Sequence, residues 1–365
     1  MTPWRALFDV PEGGPYLLAH SAGALPHAAR SRIETAVLQP WATQGAGAWD
    51  DWLGAIDEFR MGLAGLLGGV PAEYCPQANV SGALFRLLSA MPREPGRDIL
   101  LASEQSFPSI GYAMAALAPL GYRLELLTGD PADAASWAAA IHPGVAAVVP
   151  MHVHSNSGAV APVAEIAALA RGAGAASIVD VAQSAGVVPI DMPSWGVDAA
   201  VGSCLKWLCG GPGAGWLWAD AAFTARAQPL EVGWFSHADP FAFDIRDFRY
   251  APDARRFWGG TPSIAPFALA AGGIATVAGI GVPQIFAHNR RLTARVANRA
   301  GDRWFPADRR GFGGTLCIRA DGAAEAALAA AGCRFDRRGA VLRLSFHAYN
   351  DDAEADLVGE VLAGL

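Results

Sequence analysis

Lysine is almost missing from this chain. Of its 27 basic residues, 26 are arginine and one, Lys206, is lysine. Arginine keeps its proton at any working pH, whereas a lysine amine in a buried site can lose its proton and attack a carbonyl carbon. A single amine in a chain otherwise written with guanidinium makes Lys206 the candidate nucleophile. The plain alternative is a surface residue left by a biased genome, and the apolar neighbours in Ser203-Cys204-Leu205-Lys206-Trp207-Leu208 speak against it. Charge is sparse too: 17% of residues are charged, the net charge is -7, and no Lys/Arg run occurs, which excludes a general binder of nucleic-acid backbone. The five cysteines (Cys75, Cys204, Cys209, Cys317, Cys333) are odd in number and lack CxxC spacing. That excludes a zinc ribbon or a disulfide framework and fits reduced, mostly buried thiols. No basic segment followed by an apolar core opens the chain, and no uninterrupted apolar run reaches the length of a membrane helix. The expectation is a soluble cytoplasmic protein.

What is abundant points to an α/β fold. A length of 365 residues suits one large domain plus a smaller one, and 52% apolar residues with 42 glycines suit many tight strand-helix turns. Short β-rich runs (Asp98 to Leu101, Ala146 to Pro150, Ser177 to Asp180, Ala199 to Gly202, Gly215 to Trp218) alternate with alanine-rich segments of helix length, such as Ile110 to Leu120 and Pro162 to Arg171. This alternation predicts a mostly parallel sheet covered on both faces, with a smaller α+β domain beside it. From about Leu230 the texture turns aromatic, proline-rich and charged before a helical stretch at Pro266 to Ala278. Val341 to Phe346 then reads as a strand and Asp351 to Leu362 as a closing helix. The expected division is an N-terminal segment, 1–45, packing with the small domain; a large domain, 46–235; and a C-terminal small domain, 236–365.

Asp180 ends an apolar strand 26 residues before Lys206, at the carboxyl edge where open α/β sheets bind ligands. If the ligand is pyridoxal 5'-phosphate, both residues have a chemical reason: the amine holds the aldehyde as a Schiff base, and the carboxylate keeps the pyridine nitrogen protonated. Alone, Asp180 would equally serve as a helix cap. Ser81-Gly82 and Ser203 can offer a hydroxyl and backbone amides to a phosphate, or act as plain caps. The glycine-rich run Gly210 to Gly215 precedes a strand where a dinucleotide fingerprint must follow one, so a nicotinamide cofactor is rejected. His152 and His154 lack a third metal ligand nearby, and no metal is expected. Phe107 could stack on a ring or sit in the core. Arg343 lies within an alternating apolar strand and requires an anion, either a substrate carboxylate or an internal partner.

Asp180-Val-Ala-Gln183-Ser-Ala-Gly186, Asp198, Ser203-Cys-Leu-Lys206-Trp-Leu and Gly211-Pro-Gly213 together resemble the cofactor signature of class V aminotransferases, the fold-type I group that includes kynureninases and cysteine desulfurases. Tyr16 to Gly23, Phe107-Pro-Ser109 and Gly233-Trp-Phe-Ser-His237 look most like kynureninase, and the resemblance covers nearly the whole chain. It implies an α/β large domain with a mostly parallel sheet, seven-stranded in type, in which Ser81, Gly82 and Ser203 contact phosphate, Phe107 stacks on the ring, Asp180 pairs with its nitrogen and Gln183 lies beside it. It further implies that Lys206 carries the cofactor and acts as base at Cα, and that Arg343 binds the substrate carboxylate. Trp234 and Thr261 would reach phosphate across a homodimer interface, so that the two active sites are shared. Three positions depart from kynureninase: Ile110 replaces an aspartate, Leu205 a tyrosine and Gln183 a histidine. The expectation is therefore transamination or β-elimination on an α-amino acid. Hydrolysis of kynurenine and cysteine desulfuration, the latter requiring a role for Cys333, are the alternatives, and a degenerate binding protein is the non-enzymatic one.

Overall fold

The computed structural model describes residues 2–301 and 312–365; the part of the expected C-terminal domain at 302–311 lies outside the described residues. Two short strands, β1 (Phe8–Asp9) and β2 (Leu25–Pro26), pair near the start. Seven more build the main sheet: β3 (Tyr74–Gln77), β4 (Ile99–Ser103), β5 (Arg123–Leu127), β6 (Val145–Val149), β7 (Ala176–Asp180), β8 (Ala199–Ser203) and β9 (Gly215–Ala219). Their order is β3-β9-β8-β7-β6-β4-β5, and β9 alone runs against the rest. The alternating pattern predicts the mostly parallel sheet with helices between its strands, and the resemblance its seven-stranded type. Every residue of β4 and β7 is buried, as helices on both faces require. The two edge strands escape a reading by apolar runs. Pro76 interrupts β3, where an edge tolerates a missing donor, and β5 exposes Arg123 and alternates charge with leucine.

Three antiparallel strands, β10 (Thr315–Arg319), β11 (Asp336–Arg338) and β12 (Val341–Ser345), form a second sheet ordered β10-β12-β11. Helices Val282–Ala300, Gly322–Ala330 and Asp352–Ala363 cover it around Leu292, Val296, Leu328, Leu342, Leu344 and Val358, completing a smaller α+β domain. The N-terminal segment is tied to this sheet: Leu17 donates to the Arg334 carbonyl and accepts from Ser345, each at 2.9 Å. The helix Ala265–Ile280, by contrast, packs into the large-domain core with Val179, Trp207 and Trp216, so the chain stays with the main sheet well beyond residue 235. Trp207 and Trp216 are fully buried there, and truncating either to alanine would cost about 3–5 kcal/mol. Among the described residues no single helix is long and apolar enough to cross a membrane.

Candidate active site

The carboxyl ends of the parallel strands converge on one edge of the main sheet. Register aligns Gln77, Gly215 and Ser203 in one row across β3, β9 and β8. A Cβ on Gly215 would stand 2.7 Å from the Asn79 Cα, so glycine is what lets the turn after β3 lie against the start of β9. The helix Val80–Ser89 begins at that turn. Asn79 caps it by accepting from the Gly82 amide at 2.8 Å, and the first turn, with Ser81 and Gly82, lies open to solvent in part. A helix N-terminus and the half-buried Ser203 hydroxyl thus share one end of the sheet, a combination suited to a dianionic phosphate. The Ser203 hydroxyl also accepts from the Leu205 amide at 3.4 Å.

Lys206 follows β8 in a loop clamped from three sides. The Gly23 amide donates to the Leu205 carbonyl at 2.9 Å, and any Cβ on Gly23 would collide with the Lys206 carbonyl. Gly186, at φ +99°, presses so close that a Cβ would lie 2.9 Å from the Trp207 carbonyl carbon. His347 contacts the Trp207 carbonyl through Nε2 at 3.0 Å and stacks on its indole at 5.8 Å. The amine so fixed stands 6.0 Å from the centre of the Phe107 ring. Burial lowers the Lys206 pKa, Asp180 opposes that shift, and the guanidinium groups of Arg343 and Arg338 reinforce it. Burial likewise raises Asp180, which the positive field of Lys206 partly offsets. One Asp180 oxygen accepts from the Ala182 amide at 2.8 Å. Beside it, Gln183 donates to the His20 carbonyl at 3.2 Å, while its Oε1 is buried without a partner.

Arg343 is where the sequence left two readings open, and the structure holds the internal ion pair. In register, Asp336 of β11 faces Arg343 of β12. Its carboxylate takes Arg343 Nε at 2.7 Å and Nη2 in a shorter contact, while Nη1 donates to the Ser155 carbonyl at 3.2 Å. His20 Nε2 lies 3.0 Å from the same carboxylate. Burial alone would raise Asp336, but hydrogen bonds from His20 and Arg343 outweigh it and hold the carboxyl well below the usual range. Arg338, two residues along β11 and so on the same face as Asp336, was missed by the sequence reading. A three-residue strand of Asp-Arg-Arg carries no apolar alternation to reveal it. Its Nη1 donates to Ser155 Oγ at 3.1 Å and Asn156 Oδ1 at 3.0 Å, and its Cζ stands 5.3 Å from the Phe107 ring centre.

Other expected residues lie elsewhere. Trp234 donates to Thr261 Oγ1 at 3.3 Å, so these two meet, but among the described residues neither hydrogen-bonds to Lys206, Asp180 or Ser203 of the same chain. His152 packs its ring on Trp195 at 4.6 Å and burial pushes its pKa down to about 4. Among the described residues no group of three metal-ligating side chains forms. Ile110 is in the core. Cys333 lies in the small-domain core, where burial pushes its thiol up to about 11.

The residues at the sheet edge fit pyridoxal phosphate. The orphaned Gln183 Oε1 awaits a donor, first-turn amides and Ser203 await a phosphate, buried Asp180 suits a ring nitrogen, and Lys206 is an amine that burial makes less basic. Fold and donor set together are those of a fold-type I pyridoxal phosphate enzyme. The aminotransferase class-V family model matches residues 87–301, more than half of the chain, and the protein belongs to that family. Among curated relatives, the kynureninase of Deinococcus radiodurans is 34% identical over 71% of this chain and 64% of its own length. That of Pseudomonas fluorescens is 32% identical over 74% of this chain and 66% of its own length. The chain thus spans just under two thirds of these relatives. Among solved structures, a cysteine desulfurase from Thermococcus onnurineus NA1 superposes with a TM-score of 0.85 at 22% identity, covering 100% of this chain and 98% of that one. The C-DES cystine C-S lyase, in complex with its product cysteine persulfide, does so with 0.84 at 21% identity, covering 95% and 97%. At these identities the likeness speaks for the fold.

Proposed function

We propose that this protein is a pyridoxal phosphate enzyme that breaks a bond to Cβ of an α-amino acid. The observation that carries the reading is the placement of Lys206, a partly buried amine made less basic by burial and by two guanidinium groups, beside buried Asp180 at the carboxyl edge of the sheet. When bound, the cofactor supplies an aldehyde for covalent attachment and a ring that draws electrons from Cα. Lys206 would hold it and later take or return the proton at Cα. Asp180 would keep the ring nitrogen protonated. Ser81, Gly82 and Ser203 would hold the phosphate, Phe107 would lie on the ring and Gln183 beside it. Bond cleavage at Cβ is favoured over transamination because the curated relatives reported above are kynureninases. Leu205, where kynureninases place a tyrosine, favours an elimination over hydrolysis of kynurenine itself. A desulfurase that carries sulfur on its own cysteine is less favoured, since Cys333 is packed in the small-domain core.

A homodimer is part of this reading. Trp41, Phe241, Phe243 and Ile245 are exposed by 59%, 54%, 75% and 98%, and edge-to-face and stacked rings link Trp41, through Trp52 and Trp49, to Trp234 and Phe243. An apolar surface of that extent suits a second copy, and it would bring Trp234 and Thr261 to the partner's phosphate. The free thiols of all five cysteines suit a reducing cytoplasm.

The test is to purify the protein with pyridoxal phosphate, reduce it with borohydride and map the modified residue, then offer L-cysteine, L-kynurenine and L-alanine. Cofactor fixed on Lys206, with pyruvate, sulfide or anthranilate released and the cofactor unconverted, is the expected result. Keto acid formed together with pyridoxamine phosphate would establish transamination instead. Failure to take up cofactor would leave a binding protein.

A further inference from the structure

The main sheet has a second edge. Opposite the end that holds Asp180 and Ser203, at the amino ends of the parallel strands β6, β7 and β8, lies a cavity of about 170 Å³, where a single water needs about 10–15 Å³. Three arginines line it, Arg97, Arg171 and Arg226, against two carboxylates, Glu94 and Asp198. Both carboxylates are already engaged. Glu94 pairs with Arg97 at 3.1 Å, and Asp198 pairs with Arg226 at 2.9 Å through one oxygen while the other accepts from the Ser177 amide at 2.9 Å and hydroxyl at 3.0 Å. Arg171 enters no ion pair among the described residues. Its Nη2 donates to the Gly196 carbonyl, and its Nε and Nη1 carry no hydrogen bond among the described residues.

Local structure holds these guanidiniums in place. Helices Val163–Ala173 and Met192–Trp195 end beside the cavity, each followed by a glycine in the left-handed region, Gly174 at φ +75° and Gly196 at φ +64°. A Cβ on Gly174 would collide with the Arg97 guanidinium, and one on Gly196 with that of Arg171. Glycine there lets each arginine reach a helix end: Arg97 donates through Nη1 to the Ala173 carbonyl at 2.8 Å and the Val145 carbonyl at 3.2 Å, and Arg171 to Gly196. The free carbonyls of a helix C-terminus repel an anion, and here the arginines neutralise them. What is left is one cation in excess inside a concave site whose walls include Ala176 and Phe223, and apolar walls focus such a field on an anion.

We propose that this cavity binds a phosphate group between Arg97, Arg171 and Arg226, at a site separate from that of the cofactor phosphate. Three guanidiniums from three segments of the chain suit the several oxygens of a phosphate better than the two of a carboxylate. At a rise of about 3.3 Å per residue, Ala176 and Asp180 at the two ends of β7 stand about 13 Å apart, so the two sites do not overlap. A bound anion ties the starts of the central strands together and stabilises the fold by mass action. The group is either free inorganic phosphate or the head of a phosphate monoester. The inference does not depend on the cofactor reading above.

The test is calorimetry and thermal unfolding of the cofactor-loaded protein, titrated with inorganic phosphate and with ethyl phosphate against sodium chloride of equal ionic strength. Wild type is expected to bind saturably and melt at a higher temperature. Inorganic phosphate binding at least as tightly as ethyl phosphate identifies the free ion, and the reverse order identifies a monoester. Arg171→Gln and Arg226→Gln should each weaken binding about tenfold, and Arg171→Lys should recover part of the loss. Arg30→Gln, which removes a surface cation elsewhere, should change it by less than about twofold. If Arg171→Gln folds poorly for want of its Gly196 contact, Arg226→Gln decides, since that side chain is 51% exposed. A protein that takes up no cofactor defeats the earlier reading alone, and the same titrations on it still decide this one. Three results would overturn the proposal: no effect beyond that of chloride, wild-type affinity in both Arg171→Gln and Arg226→Gln, or release of the cofactor by phosphate, which would place the anion at the active site.

Discussion

Replacing Asp336 by alanine removes a carboxylate shared by Arg343 and His20, and the structure allows the size of the loss at the guanidinium to be estimated. Arg343 is 3% exposed and loses its only carboxylate partner among the described residues, keeping the Ser155 carbonyl as an acceptor. Removing one partner of a buried pair costs about 3–5 kcal/mol, because the remaining charge is stranded. The Asp336 side chain is 30% exposed, so water can reach the vacated position and the expected loss is about 2–3 kcal/mol. The stranded guanidinium also strengthens the positive field on Lys206, whose amine should become still less basic. Urea unfolding of wild type and Asp336→Ala at pH 7 measures the loss as a lower midpoint at unchanged slope. The double variant Asp336→Leu with Arg343→Leu should recover most of it, since an apolar pair of similar size carries no desolvation cost. Because the native carboxyl is held below its unfolded value, its contribution is complete above about pH 4 and fades only as pH falls further. The stability gap between wild type and Asp336→Asn should therefore stay constant from pH 7 to 5. A loss below about 0.5 kcal/mol, or a double variant weaker than Asp336→Ala, would refute the assignment of a buried, stabilising brace.

Other expectations follow from single residues. Gly186→Ala, forced to φ +99° against the Trp207 backbone, should cost about 1–3 kcal/mol in thermal unfolding and loosen cofactor retention by displacing the Lys206 loop. Ser203→Ala should weaken retention of pyridoxal phosphate about tenfold on dialysis, the worth of roughly one charge-assisted hydrogen bond, with the absorbance of the bound cofactor otherwise unchanged. Burial holds His152 and His347 at about 4, so the unfolded chain takes up protons below about pH 6.5 that the native state refuses. Stability should be flat above that pH and fall by up to about 1.4 kcal/mol per pH unit for each histidine as pH drops toward 4. Urea midpoints from pH 7.5 to 4.5 would show this fall, and His152→Phe should reduce its slope.

The one lysine, the aspartate ending an apolar strand and Ser81 in the first turn of a helix were legible because each depends on local chemistry, what an amine, a carboxylate or a hydroxyl can do there, whereas Ser203 closes strand β8 with no helix after it. The buried central strands were legible for the same kind of reason, since both faces must be covered and the apolar run is continuous. Edge strands β3 and β5 were not, because Pro76 and Arg123 belong to an environment that only neighbouring strands define. The state of Arg343 was beyond the sequence altogether. Its alternating strand demanded an anion, but whether that anion is Asp336 or a substrate depends on the register of β11 against β12, a choice made by backbone pairing. The same register sets Arg338 opposite Val341. Sequence determined which groups are present and which must be buried; tertiary structure alone decided which charges neutralise each other, because Coulomb attraction acts over ångströms in space and takes no account of separation along the chain.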